Sequence, residues 1–265
     1  MKVLEVYEKS LRFRGYAKTT ISTYKCYLEK FLFEIKCKDP YQISLRQIEN
    51  YLLAKDYSSI SQQNQYIGSL KTFAEIILRK SNIHLKKIKR PKKQKKIPRV
   101  IDQQHLINTI HSIKNLKHKA IIALAYSCSL RVSEVINLKI EDIDSHRMDI
   151  YILNAKGGKD RIVPLTPFIL GLLREYYKEF KPVTYMFNGQ FKLQYSSTSC
   201  NKIVKKYLGN KYHFHLLRHS GITAMMENGT DLRISQIVAG HNSPNTTAGY
   251  AHVSSTILKQ AKQAI

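Results

Sequence analysis

The sequence has few acidic residues, no paired cysteines and no long apolar run, and each shortage excludes a class of protein. The four cysteines lie far apart and form no Cys-x-x-Cys motif, so we expect neither a disulfide framework nor a cysteine-based zinc site. No apolar stretch approaches the length of a membrane span, and the first residues include acids where a signal peptide would be apolar. We therefore expect a cytoplasmic protein that has no membrane partner and binds no metal.

The shortage of acids leaves a large excess of positive charge. The chain has 44 Lys and Arg against 19 Asp and Glu, which gives a net charge of +25. Such a charge makes a folded protein repel itself unless a polyanion neutralises it. A general solubility charge is rarely this large. The composition therefore favours a nucleic acid as partner, with a membrane surface as the weaker alternative.

The positive charge is concentrated in one stretch, residues 86–98. It holds eight basic residues, two prolines and no acid. Prolines and like charges keep such a stretch extended, so it is predicted to be a linker between a domain at 1–85 and a domain at 99–265. A nuclear-localisation signal has a similar composition, but a position between two folded segments favours a linker. The residues expected to contact DNA phosphates are Lys86, Lys87, Lys89, Arg90, Lys92, Lys93, Lys95 and Lys96.

The first segment shows apolar residues at helical spacing throughout. We predict four helices there, with polar faces rich in Lys, Arg, Gln and Ser. Thr19 or Thr20 is placed to cap the second helix, and Ser44 with Gln47 has the pattern of a capping box before the third. The apolar stripes run through Val3, Leu4, Tyr7 and Leu11; Ile21, Tyr24, Leu28, Phe31 and Leu32; Ile48, Tyr51 and Leu52; and Tyr66, Leu70, Phe73, Ile76 and Ile77.

The second segment is also predicted to be mostly helical. Asp102 is placed to cap one helix, and Thr166 followed by Pro167 is typical of the start of another. Gly229 and Gly240 are placed to end later helices. The segment around Ala120–Ser127 is apolar on all sides and should be buried.

One stretch of the second segment has the period of a β-strand. Met148, Ile150 and Ile152 alternate with polar residues. The glycine-containing turn at 156–159 and the apolar pair at 162–163 complete a predicted hairpin. The expected fold is therefore mainly α with a small β-hairpin, in two domains.

Six residues of the second segment together supply what phosphodiester transfer requires, although each alone is ordinary. Arg131 with Glu134 could be a simple helix ion pair, His215 and Arg218 could be helix neighbours, and Tyr250 could lie at the edge of a core. The set consists of Arg131, Lys156, His215, Arg218, His241 and Tyr250.

Attack on a backbone phosphate builds negative charge on its non-bridging oxygens. The guanidiniums of Arg131 and Arg218 can neutralise that charge with forked hydrogen bonds. Tyr250 can act as the nucleophile, but a phenol has a pKa near 10 and needs help to lose its proton. With two arginines and a lysine present, no metal is needed to neutralise that charge.

The remaining residues suit the proton transfers. His215 titrates close to neutral pH and can manage the proton of the phenol. Lys156, on the predicted hairpin, can donate a proton to the departing 5′ oxygen. His241 can hold a phosphate oxygen by a hydrogen bond. His213, His215 and His219 do not have a familiar zinc spacing, and the glycines beside Lys156 lack the ending of a nucleotide-binding loop. We therefore expect no metal and no small-molecule substrate.

The order and spacing of these residues resemble the tyrosine recombinase (phage integrase) family, in the form of Xer-like recombinases or small integrases. The flanking text is similar too, in Leu-Arg-Val-Ser-Glu-Val around Arg131, Gly-Gly-Lys-Asp-Arg-Ile-Val-Pro-Leu after Lys156 and Thr-Thr-x-x-Tyr-x-His-Val around Tyr250. The first segment resembles the family's helical, SAM-like core-binding domain more loosely. Ser129 and Ala239 depart from the family, which usually has Gly and Leu at those positions.

This resemblance implies an activity and an assembly. The family cuts and rejoins duplex DNA through a 3′-phosphotyrosine intermediate and a Holliday junction within a tetramer. Carried over by position, Tyr250 is the nucleophile, Lys156 the general acid, and Glu134 the acidic residue that supports the active-site arginine. The resemblance implies no cofactor. An inactive DNA-binding member of the fold and a type IB topoisomerase-like enzyme stay open as alternatives.

Overall fold

The computed structural model describes residues 2–79, 88–92, 99–153, 160–190 and 192–240. By its internal contacts the chain divides into two units, Met1–Lys95 and Lys96–Ile265. Each unit has a hydrophobic core of its own. The boundaries at residues 85 and 98 stay predictions.

The first unit is a helical bundle, as its apolar stripes predict. The second and fourth helices pack along each other, and the buried Tyr7 on the first helix donates a hydrogen bond to the Ser69 carbonyl on the fourth at 2.9 Å. The core is rich in aromatic rings, among them Phe31 and Phe73. The elements are α1 (Lys2–Phe13), α2 (Lys18–Glu34), a 3-10 turn (Pro40–Gln42), α3 (Leu45–Ala54) and α4 (Ile60–Ile76).

One predicted helix start in this unit is confirmed and one is wrong. The capping box is present, since the Gln47 amide donates to Ser44 Oγ at 3.2 Å and the Ser44 amide donates to Gln47 Oε1 at 2.8 Å. Thr19 and Thr20 do not cap α2, which begins at Lys18 after Ala17 with no side-chain cap. The left-handed Gly15 (φ 72°) closes α1, so the chain re-enters a helix at once and both threonines fall within its first turn.

Part of the basic stretch is packed against the first unit. Lys71 Nζ, on α4, donates to the Ile88 carbonyl at 3.2 Å, and Asn64 Nδ2 donates to the Pro91 carbonyl at 3.2 Å. The Ile88 side chain also contacts the core of this unit. Residues 88–92 therefore run along α4 while the side chains of Lys89, Arg90 and Lys92 stay exposed.

The second unit is mainly helical with one small sheet, which confirms the predicted fold class. Asp102 and Thr166 cap helices as predicted, through hydrogen bonds from the amides of His105 and Ile169. None of the helices within the described ranges is long and apolar enough to cross a membrane. The elements are α5 (Gln103–Ser112), α6 (Leu116–Ser127), α7 (Val132–Asn137), a 3-10 turn (Ile140–Asp142), β1 (Ile143–Asp144), β2 (Asp149–Ile152), β3 (Arg161–Pro164), α8 (Pro167–Phe180), α9 (Ser197–Leu208), α10 (Phe214–Glu227) and α11 (Leu232–Ala239).

The sheet is antiparallel in the order β1-β2-β3, so the predicted hairpin has a third, short strand that the sequence pattern did not show. Ile150 pairs with Val163, and Ile152 pairs with Arg161. These four residues are buried, whereas Ile162 is 51% exposed. The alternation of β3 therefore directs an arginine, rather than an isoleucine, into the domain.

Helix α6 lies at the centre of this unit, and α10 crosses it at very short range. Residues 120–125 of α6 are buried on every side. Gly221 makes the crossing possible, because a Cβ there would lie 2.2 Å from the Tyr126 carbonyl oxygen and 2.6 Å from Ser129 Oγ. After α6 the chain turns through Ser129, a non-glycine residue with φ 49°.

We predict that Gly221→Ala destabilises the protein by about 2 kcal/mol, since a Cβ at this position forces two helix backbones apart. The measurement is urea denaturation followed by circular dichroism at 222 nm.

Gly171→Ala is the matched control, because Gly171 lies inside α8 and a Cβ there meets nothing within 4 Å. That substitution should stabilise the protein by about 0.5–1 kcal/mol, as alanine is the better helix former. Equal effects of the two substitutions would show that the close crossing at Gly221 does not exist.

Candidate active site

Arg131 and Glu134 meet at the start of helix α7. Arg131 is the N-terminal cap residue, and Glu134 is the third residue of the helix. The carboxylate reaches back to accept the Arg131 amide at 2.8 Å and Arg131 Nη1 at 2.7 Å. Because Glu134 lies three residues after Arg131, its carboxylate can bind both the backbone amide and the side chain of the arginine.

Arg161 approaches the same carboxylate from strand β3. Its Nη1 donates to Glu134 Oε1 at 2.9 Å and its Nη2 donates to Glu134 Oε2 at 2.8 Å, which is a forked, two-bond arrangement. The side chains of Arg161 and Glu134 are only 6% and 5% exposed. Arg161 is not among the predicted site residues. The signal was available, since strand alternation buries residue 161 together with Val163 and a buried arginine requires a carboxylate.

Arg218 lies on α10 and is 1% exposed. Its Nη1 donates to the Ser129 carbonyl at 2.9 Å and lies 3.8 Å from Glu134 Oε2. The left-handed turn at Ser129, where the family usually has Gly, therefore presents a carbonyl to this arginine. The structure brings Arg131, Glu134 and Arg218 together.

All three arginines also bind the C-terminal end of α11. Carbonyls at a helix end lack partners within the helix and carry the negative end of its dipole, so guanidiniums suit them. Gly240 ends the helix with φ 60°. The contacts join Arg161 Nε to the Val238 carbonyl at 2.8 Å, Arg218 Nη2 to the Ala239 carbonyl, and Arg131 Nη2 to the Gly240 carbonyl at 2.8 Å. Ala239 takes part through its backbone, so its departure from the family's Leu leaves this contact intact.

The cluster keeps Glu134 charged. Burial alone would raise the pKa of this carboxyl, but the hydrogen bonds and charge of Arg161, followed by those of Arg131, outweigh burial and lower the pKa to about 2. The carboxylate is therefore ionised at neutral pH.

His215 lies one turn before Arg218 on α10 and packs edge-to-face on His219, with 4.4 Å between the ring centroids. Partial desolvation, followed by the charge of Arg218 and smaller effects of His213 and Arg131, lowers the pKa of His215 below its ordinary 6.5, while Glu134 acts in the opposite direction. The imidazole is therefore mostly neutral at pH 7 and able to accept a proton. No cluster of His, Cys, Asp or Glu suited to a metal ion occurs in the described part of the chain.

The other predicted site residues are placed only in part. Lys156, His241 and Tyr250 lie outside the described residues, as do the five linker lysines at positions 86, 87, 93, 95 and 96. Gly240, whose carbonyl accepts a hydrogen bond from Arg131, directly precedes His241 in the sequence.

Comparison with known proteins identifies the family. A model of the phage integrase family matches residues 99–256, and a model of the phage integrase N-terminal SAM-like domain matches residues 3–82. Tyrosine recombinase XerA of Pyrococcus horikoshii is 33% identical over 270 residues, which cover 98% of this chain and 92% of the relative.

Solved structures agree. The crystal structure of XerA recombinase matches with a TM-score of 0.57 at 25% identity, covering 99% of this chain and 97% of that one. The crystal structure of the XerH site-specific recombinase bound to palindromic difH substrate, a post-cleavage complex, matches with a TM-score of 0.72. It is 22% identical over 94% of this chain and 80% of that one, so this likeness shows the fold alone.

Fold, site and relatives together define a class, the recombinases, which cut and rejoin DNA. Within that class, the chain belongs to the phage integrase family.

We predict that Glu134→Gln destabilises the protein by about 3–5 kcal/mol at pH 7, because it leaves buried guanidiniums without their counter-ion. Because the folded pKa is lowered to about 2, the contribution is complete above the unfolded value of 4.5 and is lost as the pH falls towards 2. The measurement is urea denaturation at a series of pH values.

Glu141→Gln is the matched control. Glu141 is 72% exposed and pairs with the exposed Lys139, so its loss should leave the unfolding midpoint almost unchanged. If both variants unfold at the wild-type midpoint, Glu134 does not hold the cluster together.

We also predict that His215 makes stability depend on pH near neutrality. Because its folded pKa is lowered, the unfolded chain takes up the proton first, so the free energy of unfolding falls as the pH drops through 6.5. His215→Gln lacks this component. Denaturation of both proteins between about pH 7.5 and pH 5.5 should show wild type losing more stability than the variant. A difference that is constant across this range would contradict the lowered pKa.

Proposed function

We propose that this chain is a site-specific recombinase that cuts duplex DNA with Tyr250 and rejoins it to a new partner strand. The observation that carries the proposal is the convergence of Arg131 and Arg218 on one buried carboxylate, Glu134, in a chain of the phage integrase family. Two fixed positive charges side by side can stabilise a phosphate group whose negative charge increases as it reacts.

The arginines have different exposures, and this suggests a division of work. Arg131 is 20% exposed and is the guanidinium that we propose to contact the non-bridging oxygens directly. Arg218 is buried and is held by the Ser129 and Ala239 carbonyls, so its charge acts on the phosphate from a fixed position. Charge held in place in a poorly solvated site stabilises a transition state better than the same charge in water.

In the proposed reaction, Tyr250 Oη attacks the phosphorus and the bond from phosphorus to the 5′ oxygen breaks. His215 accepts the phenolic proton; its lowered pKa keeps the imidazole unprotonated at pH 7, so that a nitrogen lone pair is available. Lys156 donates a proton to the departing 5′ oxygen, and His241 holds a phosphate oxygen. The 3′-phosphotyrosyl bond conserves the energy of the broken bond, so rejoining is the reverse attack by a 5′ hydroxyl and needs no cofactor.

We propose that the partner is double-stranded DNA and that the assembly on it is a tetramer. The net charge of +25 and the exposed Lys89, Arg90 and Lys92 beside α4 suit a phosphate backbone. Two duplexes contain four strands to be cut, and one nucleophile per chain then requires four chains. We propose that the domains are 1–85 and 99–265, joined by a basic linker at 86–98, and that the protein acts in the cytoplasm.

The test begins by identifying the site. Wild-type protein is incubated with fragmented genomic DNA from its source, and the strands that stay attached to protein under denaturing conditions are sequenced. A duplex containing that site, nicked so that the freed strand diffuses away, then traps the intermediate. We predict an SDS-resistant adduct with wild type and none with Tyr250→Phe, whose DNA affinity should be unchanged.

Tyr177→Phe is the matched control, because Tyr177 is an exposed tyrosine on α8 and its loss should leave the adduct intact. An equal adduct with Tyr250→Phe would overturn the mechanism. Binding without any cleavage would point instead to an inactive DNA-binding member of the fold, and relaxation of plasmids that lack the site would point to a topoisomerase-like enzyme.

A further inference from the structure

We propose that Arg161 is a positioning residue of this recombinase: it holds Glu134 against Arg131 and fixes the end of helix α11, and so sets the direction of the Arg131 guanidinium. The inference rests on the proposed function and adds a residue for which the chemical requirements of the reaction give no reason.

Arg161 is placed to orient other groups rather than to contact DNA. Its Nη1 and Nη2 both donate to Glu134, and its Nε donates to the Val238 carbonyl at 2.8 Å. Its side chain is 6% exposed. A planar guanidinium held by bonds on two sides cannot rotate without breaking them, so the carboxylate that it holds is fixed too.

The fixed carboxylate is shared with Arg131. Glu134 Oε1 accepts from Arg161 Nη1 at 2.9 Å and from Arg131 Nη1 at 2.7 Å. A carboxylate bound to Arg131 alone would orient that guanidinium but would also cancel its charge. With Arg161 bound to the same carboxylate, Arg131, Arg161 and Glu134 together carry one net positive charge, and Glu134 still orients the Arg131 guanidinium. Arg161 therefore allows Glu134 to position Arg131 without neutralising it.

The second contact of Arg161 is with the end of α11, and Gly240 supplies independent support for it. A Cβ at Gly240 would lie 3.1 Å from both Cδ and Nη1 of Arg161. Gly240 thus leaves room for the guanidinium and also takes the left-handed conformation that ends the helix. Arg161 fixes the point from which the chain continues towards His241 and Tyr250 in the sequence.

The test compares cleavage by wild type and Arg161→Lys in single-turnover reactions on the nicked duplex, at saturating protein. Lysine keeps the charge but cannot form the forked bonds. We expect a cleavage rate lower by about 10–100-fold, as for a small misplacement of a reacting group, with wild-type DNA affinity and the wild-type fraction of DNA finally cut. A residue that only stabilises the fold would instead lower the fraction cut and leave the rate unchanged.

Ile110→Val is the matched control, since it weakens the buried core on α5 without changing the charged cluster. It should leave the rate unchanged. Arg161→Lys cleaving at the wild-type rate, or losing only amplitude as Ile110→Val does, would overturn the inference.

If Arg161→Lys does not fold, a second variant tests the positioning role of Arg161. Gly240→Asn suits the left-handed conformation but places a Cβ against the Arg161 guanidinium, so it should lower the rate at full amplitude. A wild-type rate with this variant would also overturn the inference. If wild type itself forms no adduct, the proposed function fails; if it does and these variants match it, only the role of Arg161 fails.

Discussion

The structure of the catalytic unit depends on a single buried carboxylate. Glu134 is 5% exposed and lies within 4 Å of three guanidiniums, those of Arg131, Arg161 and Arg218. Burying an ion is costly unless its partners satisfy it fully. Here the carboxylate accepts four hydrogen bonds, one from a backbone amide and three from side chains. Three positive charges and one negative charge leave the cluster with two net positive charges.

The backbone around the cluster stabilises that excess of positive charge. The three guanidiniums donate hydrogen bonds to three successive carbonyls at the C-terminal end of α11, those of residues 238, 239 and 240. Helix dipoles favour cations at this end, so the helix partly offsets the repulsion among the arginines. The close crossing of α10 and α6 lies beside the same cluster, because Gly221 packs against Ser129, whose carbonyl accepts a hydrogen bond from Arg218. Helix packing and the position of the Arg218 guanidinium therefore meet at one residue, Ser129.

Sequence patterns predicted those features of both units that depend on neighbouring residues in the chain. Asp102 and Thr166 cap their helices because a side-chain oxygen next to free amides suffices. Thr19 and Thr20 failed as caps because the way α1 ends, at Gly15, decides where α2 begins. Arg131 and Glu134 were found together because they are three residues apart. Arg161 was missed because its partner lies 27 residues away. Strand alternation indicates that residue 161 is buried, but it does not show which carboxylate pairs with the arginine.

That omission follows from how this site combines two requirements. The proposed reaction needs net positive charge at the phosphate, and fixed hydrogen bonding needs a carboxylate, which removes positive charge. Of the charged site residues predicted from the sequence, those within the described ranges are Arg131, Arg218 and Glu134, and together they carry one net positive charge. The fold supplies the missing charge from strand β3, at the position where alternation would otherwise bury an aliphatic side chain. The inward face of β3 thus contributes an arginine to the charge balance of the buried cluster.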